Sequence, residues 1–280
     1  MGNDSSVVSG VSGPIGVFDS GIGGLTVLSE LMNLMPAEDI IYLGDTARVP
    51  YGVRSPDTVR RYTAEGAAFL CSKGVKLLVV ACNTMSAVGL DVAADHCEVP
   101  VVGVIGPGAR AAASATKAGR VGVIGTEATI FSQAYVEAIK KVDKSIKVFG
   151  NACPLFVPLC EEGWTEGTVP RLAARKYLEA QKAEGIDVLV LGCTHYPLLK
   201  PVLAEVMGRG ISIIDSASET AREVRKVLRE RGMAREQGSG DASFFVTDSP
   251  EKFRDLGERF LHSQHKKIGN IEKIELKEVT

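Results

Sequence analysis

The sequence has no long apolar run and almost no excess charge of either sign. Its longest apolar segments, such as Leu77–Cys82 and Val188–Leu191, are far shorter than the about 20 residues that a membrane-spanning helix needs. Lys and Arg number 32 against 34 Asp and Glu, a net charge of −2. We expect no membrane partner, because no apolar segment is long enough to span a bilayer. We expect no nucleic-acid partner either, because nucleic acid is held mainly by basic fields.

The chain also lacks the cysteine patterns of metal sites and the features of a secretory signal. Its six cysteines contain no Cys-x-x-Cys pair and no His spacing typical of zinc. Residues 1–13 are small and polar, without a basic start or an apolar stretch. We interpret them as a flexible N-terminal extension, and we expect a cytoplasmic protein with six reduced thiols.

What the chain does contain is a regular alternation of short apolar runs and helical patterns. Hydrophobic residues make up 45% of it, and the 30 glycines exceed the usual share of about 7%. This alternation predicts an α/β fold with mainly parallel sheets. The predicted strands are Ile15–Phe18, Ile40–Leu43, Leu77–Ala81, Pro100–Val104, Val121–Ile124, Ile146–Phe149, Val188–Leu191, Ile211–Ile214 and Phe244–Val246.

An internal repeat divides these strands into two sets. Gly13-Pro-Ile-Gly-Val-Phe-Asp-Ser20 matches Gly119-Arg-Val-Gly-Val-Ile-Gly-Thr126, and Leu78-Val-Val-Ala-Cys-Asn-Thr84 matches Leu189-Val-Leu-Gly-Cys-Thr-His195. Val99-Pro-Val-Val102 matches Ile211-Ser-Ile-Ile214 in the same order. The repeat predicts two similar parallel-sheet α/β domains related by internal duplication, with the active site in the cleft between them.

The repeat gives Cys82 and Cys193 equivalent positions, each just past a buried strand. If the two units face each other, both thiols point into one cleft. Such a pair suits a reaction that removes a proton from one face of a carbon and returns one to the other, with one sulfur ionised and its partner protonated. The alternative is a pair of packing cysteines that coincide through duplication.

The motifs for common cofactors are incomplete. Gly21-Ile22-Gly23-Gly24 supplies the first two glycines of a dinucleotide fingerprint, but Thr26 stands at the third. No Gly-Lys-Ser/Thr phosphate loop occurs, and the repeated segments hold no lysine for a pyridoxal phosphate Schiff base. We predict no cofactor and no metal.

Five segments resemble the glutamate racemases of the aspartate/glutamate racemase superfamily. These segments are Phe18-Asp-Ser-Gly-Ile-Gly-Gly24, Pro50-Tyr-Gly52, Ala81-Cys-Asn-Thr84, Gly192-Cys-Thr-His-Tyr-Pro197 and Ile214-Asp-Ser216. The resemblance runs from about Pro14 to about Leu261. It implies cofactor-independent interconversion of L- and D-glutamate, which supplies D-glutamate for bacterial peptidoglycan. The repeat itself gives the domain boundaries: a first domain (14–105 plus 216–270) carries Cys82 and a second (106–215) carries Cys193, and the chain returns to the first domain as in the resembled family.

The resemblance also implies roles for individual residues. Cys82 and Cys193 are the two acid/base thiols, the first acting on the D-enantiomer and the second on the L-enantiomer. The substrate contacts that it implies are Asp19, Ser20, Tyr51, Gly52, Asn83, Thr84, Thr194 and His195. Glu161 falls where the family carries an acid that assists on the Cys193 side, although a solvated helix end is an alternative for it.

The chemistry of these residues agrees with such roles. The backbone N–H groups of Asn83, Thr84 and Thr194, together with the two threonine hydroxyls, are suitable donors to a carboxylate. Asp19 can pair with an ammonium group or prime Cys82, or else cap the following helix. His195 can polarise Cys193.

Two further residues are predicted to lie in the pocket, one with an open alternative and the other from the repeat alone. For Tyr51 the alternative is an ordinary turn residue. Thr126, the repeat mate of Ser20, is a predicted pocket hydroxyl.

Two other functions stay open at this point. One is an aspartate or other amino-acid racemase of the same superfamily, and the other is a non-catalytic amino-acid-binding protein in which both thiols are dispensable. We expect a small-molecule substrate and a homodimer.

Overall fold

The computed structural model describes residues 12–261 and 268–279, in which strands and helices alternate. The strands are β1 (Ile15–Asp19), β2 (Ile40–Gly44), β3 (Leu77–Val80), β4 (Val101–Gly103), β5 (Arg120–Gly125), β6 (Lys147–Ala152), β7 (Val188–Gly192), β8 (Ser212–Asp215), β9 (Ala242–Val246) and β10 (Ile271–Lys273). Most of the predicted N-terminal extension, residues 1–11, lies outside the described residues.

The helices lie between the strands, as crossover connections between parallel strands require. They are α1 (Leu25–Leu34), α2 (Pro56–Ser72), α3 (Asn83–Val88), α4 (Leu90–Asp95), α5 (Ile105–Ala115), α6 (Glu127–Phe131), α7 (Ala134–Val142), α8 (Phe156–Glu161), α9 (Thr168–Ala183), α10 (Lys200–Met207), α11 (Ser216–Glu230) and α12 (Pro250–Phe260). Short 3₁₀ turns occur at Tyr51–Val53 and Tyr196–Leu199.

The strands form two parallel sheets with the same internal order. The first sheet runs β10-β9-β2-β1-β3-β4 and the second β6-β5-β7-β8. The order β2-β1-β3-β4 is therefore repeated as β6-β5-β7-β8, and the three repeated segments of the sequence fall on equivalent strands. The prediction of two similar parallel-sheet α/β units is confirmed.

The central strands are buried along their whole length, which explains their continuous apolar sequences. Every residue of β1, β3 and β7 is buried, whereas the edge strands β6 and β8 are partly exposed. Strand β9 pairs with β2, so the chain returns to the first sheet after completing the second. The domain boundaries at 105/106 and 215/216 stay a prediction.

Strand β10 was not predicted. It is three residues long, and of these only Ile271 is buried. Such a segment has neither the length nor the alternation that identifies a strand in a sequence.

The expectation of six reduced thiols is wrong for one pair. Cys71 and Cys97 form a disulfide with a Cα–Cα distance of 5.8 Å, while Cys82, Cys153, Cys160 and Cys193 are free and buried. Cys71 is near the end of α2 and Cys97 follows α4, and these two helices pack against each other. This packing, and no spacing motif in the sequence, brings the two sulfurs together.

No helix in the described ranges is both long enough and apolar enough to cross a membrane.

A buried ion pair ties the first sheet to the segment that follows α11. Lys76 Nζ lies 2.6 Å from Glu38 Oε2, and these side chains are only 4% and 2% exposed. The ammonium also donates to the Met233 carbonyl at 2.8 Å, and the second oxygen of Glu38 accepts from the Arg235 backbone N–H at 2.7 Å. Both charges are thus buried, and each is hydrogen-bonded to the other and to one backbone group.

Replacing Glu38 with Gln should lower the free energy of unfolding by about 3 kcal/mol, because it leaves the Lys76 ammonium buried without a counter-charge. The measurement is urea denaturation at neutral pH. Glu230→Gln is the matched control, since Glu230 lies 3.9 Å from Lys226 with both side chains 63% exposed. The control should cost less than about 0.5 kcal/mol. Equal losses in the two variants would contradict this account of the buried pair.

Candidate active site

A cavity of about 200 Å³ opens between the two sheets, at the carboxyl ends of their strands. This is where parallel α/β sheets place their ligands. Every predicted site residue except Asp19 lines it: Ser20, Tyr51, Gly52, Cys82, Asn83, Thr84, Thr126, Glu161, Cys193, Thr194 and His195. Residues from both units therefore share one cavity, and the roles predicted for them remain hypotheses.

Cys82 follows β3 and occupies the N-cap position of α3. Its side chain is buried, and burial raises the pKa of the thiol to about 11, with the nearby charge of Asp19 adding to the rise. The Ser20 hydroxyl donates to the sulfur at 3.5 Å and acts in the opposite direction. Cys82 is therefore a thiol at neutral pH that needs further help to ionise.

Cys193 occupies the equivalent position after β7 and is buried to the same extent, both cysteines being 6% exposed. Burial raises its pKa well above that of an ordinary thiol, and the backbone N–H of His195 partly offsets this. The sulfur lies 3.9 Å from Nδ1 of His195. The two cysteines thus have equivalent positions, as the repeat predicts, and equal burial, while the groups beside their sulfurs differ.

Glu161 and His195 form a pair beside Cys193. Nε2 of His195 lies 3.2 Å from Glu161 Oε1, and this hydrogen bond holds the pKa of the Glu161 carboxyl below its usual value. The Phe260 ring packs edge-on against the imidazole, with 5.1 Å between the ring centroids. Glu161 is the last residue of α8, and its side chain reaches the imidazole while staying 40% exposed. Its assisting role and the alternative of a solvated helix end therefore both stay open.

Asp19 does not line the cavity, contrary to what direct contact with a substrate requires. It is fully buried behind Ser20, and Oδ2 accepts the backbone N–H of Gly21 at 2.8 Å. Burial raises the pKa of its carboxyl, and Oδ1 accepts no hydrogen bond from the described residues. The helix-cap alternative is also wrong, because Gly24 occupies the N-cap of α1. The charge of Asp19 raises the pKa of Cys82, and the role predicted for Asp19 stays a hypothesis.

Threonine hydroxyls join the two units at the cavity. Oγ1 of Thr84 lies 3.0 Å from Oγ1 of Thr126, and both lie within hydrogen-bonding distance of Thr129. Gly52 lies against the same threonine, since a Cβ at this glycine would be 2.7 Å from Cβ of Thr126. Thr129 was not predicted from the sequence, because it lies outside the repeated segments.

A second contact between the units lies beside Cys193. Oγ1 of Thr26 donates to the Thr194 carbonyl at 3.0 Å. A Cβ at Gly23 would lie 2.3 Å from Thr194 Oγ1 and 2.4 Å from His195 Nδ1, so only glycine allows this approach. The glycine-rich turn therefore serves close packing of the two units, which accounts for its partial likeness to a dinucleotide fingerprint.

Among the described residues, no lysine or arginine lines the cavity, and Glu127 and Glu161 are the acidic residues that do. A carboxylate bound against these residues would meet neutral donors, such as hydroxyls, amides and backbone N–H groups. One such donor is ready, because Nδ2 of Asn83 is buried without a partner among the described residues.

A buried network behind Tyr51 was not predicted. The Tyr51 hydroxyl donates to Asp45 Oδ2, and Oδ1 of the same carboxylate accepts from Thr247 at 2.8 Å. Arg48 binds Asp45 at 2.5 Å and packs over the Tyr62 ring. This network fixes the cavity wall at Tyr51. The signal that could have found it is the group of polar residues Asp45, Thr46 and Arg48 after an apolar strand.

Comparison with known proteins identifies the relatives of this chain. Residues 15–224 match the model of the family described as Asp/Glu/Hydantoin racemase. A glutamate racemase of Geobacter metallireducens is 53% identical over 263 residues, which cover 94% of this chain and 96% of that protein.

Solved structures give the same result. Glutamate racemase from Francisella tularensis, in complex with D-glutamate, has a TM-score of 0.87 at 40% identity, covering 94% of this chain and 97% of that one. A glutamate racemase isoform from Bacillus anthracis has a TM-score of 0.90 at 39% identity, covering 95% and 98%.

The buried thiols should destabilise the protein at alkaline pH. Burial raises the pKa of Cys82 to about 11, that of Cys160 to about 12, and also those of Cys153 and Cys193. Above the ordinary thiol pKa of about 8.5 the unfolded chain releases protons that the folded chain keeps, so the free energy of unfolding falls as pH rises.

Cys153→Ala isolates one of these thiols, because burial alone raises the Cys153 pKa. Between pH 8 and pH 10 this variant should lose about 2 kcal/mol less unfolding free energy than the unaltered chain. Denaturant unfolding at the two pH values is the measurement. Ile146→Val, a buried change without a titrating group, should leave the pH difference unaltered. A Cys153→Ala curve parallel to that of the unaltered chain would refute the shift.

Proposed function

The chain belongs to the Asp/Glu/hydantoin racemase family, and we propose that it interconverts L- and D-glutamate by moving protons between Cα and two opposed cysteines. The observation that carries this proposal is the matched pair Cys82 and Cys193, at the ends of equivalent strands and on the walls of one cavity. Relatives named as glutamate racemases over nearly the whole chain support glutamate over aspartate as the substrate.

The proposed reaction needs one thiolate and one protonated thiol. A thiolate takes the proton from Cα, and the electron pair of the broken C–H bond moves into the adjacent carboxylate. The thiol on the other face then gives its proton to Cα, which leaves the sulfurs with exchanged protonation states. No other group need be consumed, so each turnover prepares the site for the reverse direction.

Because burial raises the pKa of both thiols, we propose that the substrate itself helps one of them to ionise. In a buried site a thiolate forms more readily when a cation is nearby, and the α-ammonium group of an amino acid is such a cation. Ser20 donates to the sulfur of Cys82, and His195 lies beside that of Cys193. We propose that Ser20 and Asp19 tune Cys82, which acts on D-glutamate, and that His195 and Glu161 tune Cys193, which acts on L-glutamate.

Neutral donors suit a substrate that is turned over in both directions. The hydroxyls of Thr84, Thr126 and Thr194 and the free amide of Asn83 are proposed to hold the two carboxylates of glutamate, with Tyr51 and Gly52 at the wall of the cavity. A lysine or arginine at the α-carboxylate would hold it more tightly in every state. Hydroxyls and amides can instead form stronger hydrogen bonds as negative charge develops on the carboxylate during proton abstraction.

Three broader features remain part of this proposal. The D-glutamate is proposed to serve peptidoglycan assembly, and the chain to form a homodimer, which sedimentation of the purified protein tests. A cytoplasmic location is also proposed. The Cys71–Cys97 disulfide does not fit that location, because cytosolic thiols are kept reduced.

The purified, exhaustively dialysed chain should racemise glutamate without added cofactor, and aspartate far more slowly. Circular dichroism of each enantiomer over time measures this. Cys82→Ser and Cys193→Ser should each lower the rate by at least about 1,000-fold, because each removes the base for one direction and the acid for the other. Cys153→Ser, a buried thiol outside the cavity lining, is the control and should keep its activity.

Failure of the dialysed protein to act until pyridoxal phosphate or a metal is added would disprove the cofactor-independent mechanism. Substantial turnover by either serine variant of the cavity cysteines would disprove the two-base assignment. Full binding of glutamate without any racemisation would favour the amino-acid-binding alternative.

Solvent deuterium should enter the product and not the recovered substrate. In deuterated water, L-glutamate at low conversion should give D-glutamate labelled at Cα, because the deuteron comes from the opposite sulfur. Residual L-glutamate should stay nearly unlabelled, since the sulfur that took its proton returns the same proton. Mass spectrometry of the separated enantiomers measures both. Unlabelled D-glutamate would instead point to one mobile base that carries the original proton across the carbon.

A further inference from the structure

One buried tyrosine contacts the residues next to both cavity cysteines. Tyr135 lies in the first turn of α7, in the part of the chain that carries the second sheet, and is 2% exposed. Its hydroxyl donates to Oδ1 of Asn83 at 2.8 Å, and Asn83 directly follows Cys82 in the part that carries the first sheet. This hydrogen bond therefore crosses between the two units.

The ring of the same tyrosine lies against the segment that carries the second cysteine. A Cβ at Gly192, the residue before Cys193, would lie 3.0 Å from Cε2 of Tyr135. The ring and the backbone at Gly192 are therefore in direct contact. A single rigid side chain thus spans from the first cysteine segment to the second.

The hydrogen bond also decides which way the Asn83 amide faces. With its oxygen held by the tyrosine, its nitrogen Nδ2 is left buried and finds no partner in the described part of the chain, although the residue lines the cavity. Burial raises the pKa of Tyr135, although a hydrogen bond with Ser216 acts in the opposite direction, so the phenol stays protonated and able to donate. The reverse orientation of the amide would present its oxygen to a bound carboxylate, which is repulsive.

We propose that Tyr135 is a positioning residue, which orients the Asn83 amide as a donor to a substrate carboxylate and holds the Cys82 segment in register with the Cys193 segment. This inference rests on the proposed function, because it takes the ligand of Asn83 to be a dicarboxylic amino acid. It assigns Tyr135 no contact with the substrate, and this residue is not among those that line the cavity.

A tyrosine that merely fills the core would behave differently under mutation. Tyr135→Phe keeps the ring against Gly192 and removes only the hydroxyl. If the hydroxyl acts through Asn83, its loss matters only while the amide is present, so the two residues are coupled. If it only stabilises the fold, its effect on catalysis is independent of Asn83.

The test is a double-mutant cycle of Tyr135→Phe and Asn83→Ala on glutamate racemisation. Tyr135→Phe alone should raise KM about tenfold with a smaller change in kcat, because a freed amide loses its fixed orientation toward the carboxylate. In the Asn83→Ala background the same change should alter kcat/KM less than twofold. Tyr177→Phe, whose hydroxyl accepts from the Leu155 backbone outside the cavity lining, is the matched control and should change kcat/KM less than twofold.

Additive effects in the cycle, or an unchanged KM in Tyr135→Phe, would overturn the inference. Thermal unfolding of each variant confirms that it is folded at the assay temperature. If Asn83→Ala turns over too slowly to assay, the same cycle is measured on D-glutamate binding by calorimetry, where the tenfold and less-than-twofold changes are expected in Kd. An unaltered chain that binds glutamate without racemising it would refute the proposed function, while the binding cycle would still decide the role of Tyr135.

Discussion

The burial of two thiols at the ends of equivalent central strands is the constraint on which the site depends. Burial raises the pKa of both Cys82 and Cys193, so neither ionises unaided at neutral pH. A low-dielectric site keeps the resting sulfurs protonated and makes every nearby charge count more. Ser20 lies beside one sulfur and His195 beside the other, and we propose that these groups set which sulfur ionises when a charged substrate enters. The symmetry of the fold gives each sulfur a comparable setting, as a reversible proton transfer requires.

In the proposed complex, positive charge near the sulfurs comes from the ligand more than from the residues that line the cavity. In the described part of the chain no lysine or arginine lines the cavity, and Asp19, whose charge acts on Cys82, is fully buried and does not line it. In the proposed reaction, a substrate with one ammonium and two carboxylates brings its own cation to the sulfurs and meets hydroxyls and amides elsewhere. Nδ2 of Asn83, which has no partner among the described residues, shows the cost of this arrangement, since a buried donor without an acceptor is unfavourable until a ligand supplies one.

Polar contacts between the two units hold the cavity in shape. Thr84 contacts Thr126, Thr26 donates to the Thr194 carbonyl, and Tyr135 donates to Asn83. In each contact the two partners belong to opposite units, and one of them lies within two residues of Cys82 or Cys193 in the sequence. Because hydrogen bonds are directional, they fix the relative position of the two thiols more sharply than apolar packing alone. Lengthening them would separate the two cysteine segments.

The sequence by itself determined nine of the ten strands that the structure describes and the equivalent positions of Cys82 and Cys193, because buried parallel strands leave continuous apolar runs and a duplication repeats them at a nearly constant offset. The order of the strands within each sheet came only from the structure. Most of the other site residues were predicted from the resemblance to the glutamate racemases and not from the strand pattern. Only the tertiary structure decided the Cys71–Cys97 disulfide, the position of Asp19 behind the wall, the Asp45 network and the bridging position of Tyr135. Each of these depends on how helices and loops pack across long sequence separations. Such packing leaves no periodicity and no fixed spacing in the chain.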